Sequence, residues 1–300
     1  NCNIINYEYK VDNGAYQAAV PRSEIISGLS EGPHTFYVTA IGFVGGLQIG
    51  TSDPAIVNSI VLSPPGSVQS LAAVQNGSGR IRVTWSPQLL TPTTAAPTGY
   101  MIKKGADPYQ NATSPSDYNN LTGGQTYTFT VKAVSDVGDG MEATVTADAA
   151  TAPDPPTTLA AVSVDPLGES APVRIQLTWS DPADLNGAVV DYYQYRYKTN
   201  SSGWSAPVTI NSNVPIPYNI VGGAVDQPGA LFSFEVKIVP LNGIPPSNWS
   251  TKVSGVLAAK RPGAPTNLTV GNPTAGVVSA NWTAGPDNYS NVTGWLYTEG

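Results

Sequence analysis

The chain contains three copies of one Trp-bearing strand, and each copy follows a Pro-rich segment. The copies are Arg-Val-Thr-Trp85-Ser, Gln-Leu-Thr-Trp179-Ser and Ser-Ala-Asn-Trp282-Thr, and apolar residues alternate with polar ones before each Trp. Alternation with a period of two is typical of a strand that buries one face. A pattern that recurs in this way restricts the chain to copies of one β-domain. We therefore expect Trp85, Trp179 and Trp282 to lie in the cores of successive domains.

A second recurring strand gives the length of the repeat. Tyr7, Tyr100, Tyr193 and Trp295 begin matching aromatic-rich strands, at steps of 93, 93 and 102 residues. Such a step is the length of one β-sandwich of about 100 residues. No segment shows a helical period, so the sequence predicts an all-β chain of tandem sandwiches joined by short Pro-rich linkers. The predicted segments are a partial domain at 1–63, complete domains at 64–152 and 153–260, and a partial domain at 261–300.

The order of these motifs resembles that of fibronectin type III domains. A strand with a central Trp comes first, a Tyr-rich strand follows, and a corner with Gly, Tyr, Phe and Val comes later, as in residues 121–131. The resemblance implies immunoglobulin-like β-sandwiches of an extracellular surface or filament protein. It indicates the fold more strongly than the function, because this sandwich serves many purposes.

The two ends of the sequence hold complementary parts of the repeat. Residues 1–63 begin at the third strand of the pattern and lack the Trp-bearing strand, whereas residues 261–300 supply the early strands. A sandwich without some of its strands exposes apolar faces and unpaired edges. Two explanations stay open. Either the sequence is a segment of a longer tandem array, or the C-terminal strands of one copy complete the N-terminal strands of the next, head to tail.

Asn-x-Ser/Thr sequons favour N-linked glycosylation. Their number is about twice that expected from random placement, and most lie in loop-like sequence, as an attached glycan requires. The alternative is that several are ordinary polar loop residues. The nine candidates are Asn76, Asn111, Asn120, Asn200, Asn248, Asn267, Asn281, Asn288 and Asn291.

Few residues are available for catalysis or metal binding. His34 is the only histidine and occupies the corner position held by Tyr127 in the next repeat, so we expect it to pack there. Cys2 is the only cysteine, which leaves an unreactive thiol or a disulfide to a neighbour or to residues outside this sequence. Nucleophilic triads and His or Cys metal sites therefore lack their ligands. The acidic segments 135–140 and 181–184 are expected to be ordinary turns rather than calcium sites.

Charge and hydropathy exclude two further classes of partner. The net charge is −7 and the isoelectric point is about 4.6, whereas nucleic-acid binding needs clustered Lys and Arg. No apolar run approaches the roughly 20 residues that cross a bilayer. The sequence thus predicts no enzyme, cofactor or metal, and no membrane insertion within these residues.

The Trp-Ser dipeptides at Trp204 and Trp249 admit two interpretations, stacking on sugars or covering the side of a sandwich. The leading functional hypothesis is a non-enzymatic extracellular structural glycoprotein, a rod or filament on a cell or virion surface that contacts copies of itself. One alternative is an adhesin or receptor ectodomain that binds protein or carbohydrate through its loops. Another is the spacer region of a secreted polysaccharide-active enzyme or phage tail protein.

Overall fold

The computed structural model describes residues 3–19, 23–164, 171–272, 275–290, 292 and 294, and the side chains from residue 6 onward. Strands dominate this part of the chain, with one short 3-10 turn at Gly223–Val225. The all-β prediction is therefore confirmed. Contacts divide the chain into two compact units. The first consists of Asn1–Val74, Arg82–Tyr118 and Tyr127–Ala147, and the second of Gln75–Ile81, Asn119–Thr126 and Asp148–Gly300.

The first five strands form one antiparallel sheet. They are β1 (Asn3–Val11), β2 (Gln17–Ala19), β3 (Gly32–Val44), β4 (Leu47–Thr51) and β5 (Ala55–Val61). Their order is β2-β1-β3-β4, and β5 pairs with the first part of β3. The β3–β4 turn uses Gly45 and Gly46, both at positive φ, as tight hairpin turns require. Among the described residues from 3 to 61, every strand belongs to this sheet.

Two sheets follow between residues 69 and 148. One contains β6 (Gln69–Gln75), β7 (Ile81–Ser86) and β10 (Ser116–Tyr118). The other contains β8 (Gly99–Lys104), β9 (Gln110–Ala112), β11 (Thr126–Ser135), β12 (Gly138–Asp139) and β13 (Ala143–Asp148). Trp85 on β7 is buried, and its ring lies 6.0 Å from that of Tyr100 on β8. Phe129 and Val131 on β11 are fully buried, as the alternation of the sequence requires.

The next seven strands form a complete sandwich. Its three-stranded sheet contains β14 (Thr157–Val164), β15 (Arg174–Ser180) and β18 (Tyr218–Val221). Its four-stranded sheet contains β16 (Val190–Thr199), β17 (Val208–Asn211), β19 (Leu231–Pro240) and β20 (Val253–Leu257). One core joins both sheets, and within it the Trp179 ring meets Tyr193 edge-on at 5.3 Å.

The last two strands, β21 (Thr266–Val270) and β22 (Ala280–Thr283), form a two-stranded hairpin. Trp282, which the sequence places in a core, is 44% exposed here. Its strand forms as predicted, but burial of one face also needs a second sheet, and the strand that the sequence predicts next, at Trp295, lies outside the described residues. That Trp282 marks a core therefore stays a prediction.

Candidate functional site

The linker before the complete sandwich is held by Asn186, in the loop after β15. The Asn186 carbonyl accepts a hydrogen bond from the Thr151 amide at 3.0 Å, and its Nδ2 donates to the Ala152 carbonyl at 2.8 Å. The residue adopts φ +53°, a left-handed conformation that Asn tolerates better than most residues. Asp184 Oδ1 accepts the Asn186 amide at 2.7 Å and so fixes the loop. We call this pair of contacts from one loop Asn to two successive linker residues an Asn clasp.

A second Asn clasp holds the next linker. The Asn288 carbonyl accepts from the Lys260 amide at 3.0 Å, and Asn288 Nδ2 donates to the Arg261 carbonyl at 2.6 Å. Asn288 also has a positive φ of 50°. Lys260 Nζ lies 3.0 Å from Asp226 Oδ1. The hydrogen bond from the Val173 amide lowers the pKa of the Asp226 carboxyl most, and Lys260 lowers it further. The same chemistry therefore holds two successive linkers.

The linker at Ser63 is held by backbone groups instead. Its amide donates to the Thr93 carbonyl at 2.8 Å, and its carbonyl accepts from Ala95 at 2.9 Å. The Ser63 hydroxyl also donates to the Thr93 carbonyl, at 3.0 Å. Each of the three linkers thus hydrogen-bonds to the loop that follows a Trp-bearing strand.

Glycines allow the backbone to approach closely at the Asn186 clasp. A Cβ on Gly123 would collide with Thr151 Oγ1 and lie 2.5 Å from the Asn186 carbonyl oxygen. Gly187 has φ +74°, and a Cβ there would lie 2.6 Å from the Ala149 carbonyl oxygen. The linker is consequently packed against loops of the second compact unit rather than surrounded by water.

The outer face of the complete sandwich carries a row of stacked cations and indoles. The Arg196 guanidinium carbon lies 4.5 Å from the centre of the Trp204 ring and 4.4 Å from that of Trp249. Lys198 Nζ lies 5.1 Å from Trp204, and Lys237 Nζ lies 4.7 Å from Trp249. We call these five residues the cation ladder. Of the two interpretations of Trp204 and Trp249, the structure favours covering the side of the sandwich.

An ion pair and serine hydroxyls fix the ladder in place. Arg196 Nε and Nη2 both contact Glu235 Oε2, at 2.7 and 2.6 Å. Ser205 Oγ accepts the Tyr197 amide at 3.1 Å, and Ser250 Oγ accepts the Val236 amide at 3.1 Å. In each Trp-Ser dipeptide the Ser therefore attaches the segment to a strand, while the preceding Trp lies over Arg196.

Smaller stacks occupy the corresponding place in the sheet of residues 3–61 and in the sheet that contains β8 and β11. Tyr109 lies 4.6 Å from Lys103 Nζ and 4.2 Å from Lys132 Nζ. Lys10 Nζ lies 5.2 Å from the Tyr16 ring and 4.5 Å from the Tyr37 ring. Burial raises the pKa of the Tyr109 hydroxyl most, and the nearby Glu142 raises it further.

Sequence reasoning missed these stacks, although a local signal was available. Each begins with a cationic residue placed three positions after an aligned Tyr, namely Tyr7, Tyr100 or Tyr193, and an aromatic residue follows six to eight positions later. The bases are Lys10, Lys103 and Arg196, and the aromatic residues are Tyr16, Tyr109 and Trp204.

His34 is a buried structural residue of β3. Its Nδ1 lies 2.8 Å from Asp12 Oδ2, and its Nε2 lies 2.7 Å from the Ser30 carbonyl oxygen. Because both partners are acceptors, only the doubly protonated ring satisfies both bonds. The Ser30 carbonyl accordingly raises the pKa of His34 most, and Asp12 raises it further. The Thr35 amide lowers the pKa of Asp12 most, and His34 lowers it further.

The predicted sequons fall into three groups. Asn288 is half-buried because its side chain forms the clasp. Asn291 lies outside the described residues, and so does the disulfide candidate Cys2. The remaining seven are exposed and are not brought together into one site: Asn76, Asn111, Asn120, Asn200, Asn248, Asn267 and Asn281.

Acidic residues of the segments 135–140 and 181–184 contact side chains of neighbouring strands. Asp139 pairs with Lys132 at 2.5 Å, and Asp181 Oδ1 accepts the Tyr193 hydroxyl at 2.8 Å. In the described ranges, no three His, Cys, Asp or Glu side chains are grouped to hold a metal ion. No helix in that part of the chain has the length and apolar character needed to cross a membrane.

Comparison with known proteins identifies one domain. The family model of the fibronectin type III domain matches residues 63–148. No curated protein matches the chain. Among solved structures, a crystal structure of the FN1–FN3 domains of chicken CNTN1 is 17% identical, covers 84% of this chain and 91% of its own, and has a TM-score of 0.31. The family match confirms the resemblance that the sequence motifs indicated.

Proposed function

We propose, from the membership of residues 63–148 in the fibronectin type III family, that the chain is a non-enzymatic extracellular spacer built from tandem sandwiches. Domains of this family occur in extracellular adhesion and receptor proteins, and the fold is typically non-enzymatic. Fold alone does not assign a role, so the proposal depends on a feature of this chain. In this proposal the chain sets the distance between what lies at its two ends, on a cell or virion surface.

The observation that carries the proposal is the Asn clasp, found at two successive linkers. A free linker of a few residues exposes its backbone groups to water and changes direction readily. In this chain the Thr151 and Lys260 amides donate hydrogen bonds to folded loops. The Ala152 and Arg261 carbonyls accept hydrogen bonds from the same loops. Bending at a clasp must break these bonds, each of which contributes about 0.5–1.5 kcal/mol. A spacer needs this resistance to bending.

Replacement of Asn186 by Asp tests the proposal. Asp has nearly the same shape and tolerates positive φ, but its carboxylate cannot donate to the Ala152 carbonyl. We expect faster hydrogen exchange at the Thr151 amide and a broader distribution of molecular dimensions in small-angle X-ray scattering. Asn213→Asp is the matched control, since Asn213 is an exposed loop residue of the same sandwich. Unchanged exchange and scattering in Asn186→Asp would refute a mechanical role for the clasp.

We include N-linked glycans in this function because seven sequon asparagines are exposed. In Asn288, the side-chain nitrogen that would carry the sugar already donates a hydrogen bond to the Arg261 carbonyl. Intact glycopeptide mass spectrometry of the chain from its native source should find sugar on several of the seven and leave Asn288 bare. Bare asparagines at all seven positions would remove glycans from the proposal.

A further inference from the structure

The Asn clasp at residue 186 contains a chemically labile pair. Asn186 is followed by Gly187, and asparagine also precedes glycine at Asn13, Asn76 and Asn242. Asparagine is a thermolabile residue, because the next backbone nitrogen can displace its side-chain amide. Glycine at the second position makes this easiest, since it has no Cβ to block the approach. The linker is therefore restrained by a residue that can lose its amide group.

Packing of the linker requires glycine at position 187. Its φ is +74°, and a Cβ there would lie 2.6 Å from the Ala149 carbonyl oxygen and 2.9 Å from the Gly124 nitrogen. A larger residue would push the linker away from the loop that holds it. The close approach that permits the clasp thus also places glycine directly after Asn186.

The second Asn clasp meets the same requirement with a different arrangement of residues. Asn288 is followed by Tyr289, and a Cβ on Gly229 would collide with the Tyr289 ring. Here the glycine belongs to the turn before β19, and the residue after the clasp asparagine is bulky. A bulky side chain hinders approach of its backbone nitrogen to the asparagine. Of the two clasps, the first is therefore the labile one.

The hydrogen bonds of the first clasp restrain both reacting groups. Displacement requires Asn186 Cγ to turn toward the Gly187 nitrogen. In the structure, Asn186 Nδ2 donates to the Ala152 carbonyl at 2.8 Å. The backbone of Asn186 is also held, at its amide by Asp184 and at its carbonyl by Thr151. The side chain can turn only after the bond to Ala152 breaks, so local opening of the linker must come first.

We propose that Asn186 is a site of spontaneous deamidation that the clasp controls, and that the reaction makes an opened linker permanently flexible. The Gly187 nitrogen forms a bond to Asn186 Cγ while the bond from Cγ to Nδ2 breaks. Nδ2 leaves as ammonia and takes the proton of the Gly187 amide. Water then opens the resulting succinimide ring, which gives aspartate or isoaspartate.

The product cannot restore the clasp. Neither aspartate nor isoaspartate can donate to the Ala152 carbonyl, because the side-chain amide has become a carboxylate. A linker that opens long enough to react therefore loses its side-chain bond for good. This regulation rests on the proposed spacer function, because it acts on the same clasp.

Ageing of the whole chain at mildly alkaline pH, followed by peptide mass spectrometry, tests the control by the clasp. In the folded chain, Asn242 should convert faster than Asn186, because it lies exposed in the loop after β19. In denaturant the two should convert at similar rates, since glycine follows both. Equal rates in the folded chain would overturn the proposal.

Replacement of Asp184 by Ala loosens the clasp without changing the reacting pair. It removes the acceptor of the Asn186 amide, and should raise conversion of Asn186 about 2- to 10-fold, as expected for loss of one hydrogen bond. Asp191→Ala is the matched control, since Asp191 is an exposed aspartate of the same sandwich, and should leave the rate unchanged. An Asp184→Ala chain that converts no faster than this control would contradict the proposal.

A further experiment separates deamidation from the spacer function. A chain with Asn13→Asp, Asn76→Asp and Asn242→Asp keeps Asn186 as its one asparagine before a glycine. Ion exchange then isolates the aged, converted chain by its added negative charge. Hydrogen exchange at the Thr151 amide should become faster in it, as in Asn186→Asp, and slow exchange there would overturn the proposal. Faster exchange with unchanged X-ray scattering would support release of the clasp and refute the spacer function instead.

Discussion

Replacement of Arg196 by Ala is expected to lower the free energy of unfolding of the 153–260 sandwich by about 2–3 kcal/mol. The guanidinium lies between two indole rings and forms an ion pair with Glu235. The Glu235 side chain is only 13% exposed, so removal of Arg196 leaves a carboxylate poorly solvated and without its partner. Trp204 and Trp249 also lose the flat group that both cover.

Three companion variants separate the contributions to this loss. Arg196→Lys keeps the charge but not the planar fork, and should recover little of the stability. Adding Glu235→Gln to Arg196→Ala should recover part of it, because the unpaired charge is gone. Lys198→Ala removes an end member of the ladder and should cost less than about 1 kcal/mol. Each value is measured by denaturant unfolding, monitored through hydrogen exchange in β16 and β19. An equal cost for Arg196→Ala and Lys198→Ala would contradict the central role of Arg196.

Local alternation was enough to predict the strands but not always their burial. The pattern around Trp85 and Trp179 predicts a strand with one buried face, and both residues are buried. The same pattern around Trp282 predicts its strand equally well, yet the residue is 44% exposed. Alternation reports which face is apolar, whereas burial depends on a second layer that is distant in sequence.

The clasps and the ladder show why the candidate site was harder to predict. Asn186 looks like an ordinary turn residue, and its contact with Ala152 depends on how two distant segments meet. Arg196 and Trp204 are close in sequence, but Trp249 joins them only through the pairing of β16 with β19. Charge and composition identify none of these contacts, because each depends on geometry that the fold creates.

Replacement of Phe234 by Ala should have the largest effect, a loss of about 3–5 kcal/mol from the free energy of unfolding of the same sandwich. Phe234 is fully buried on β19, and its ring lies 6.0 Å from Phe232 and 6.4 Å from Tyr197. Truncation removes apolar area and leaves a cavity that a two-layer core cannot close without moving a whole sheet.

Leu231→Ala is the matched control for this change, since Leu231 begins the same strand but is 38% exposed. It should cost less than about 1 kcal/mol because its side chain leaves little cavity behind. Hydrogen exchange across β16 and β19 at increasing denaturant reads the stability of this sandwich separately from the rest of the chain. If Phe234→Ala and Leu231→Ala unfold at the same denaturant concentration, the core does not depend on contacts between the two sheets.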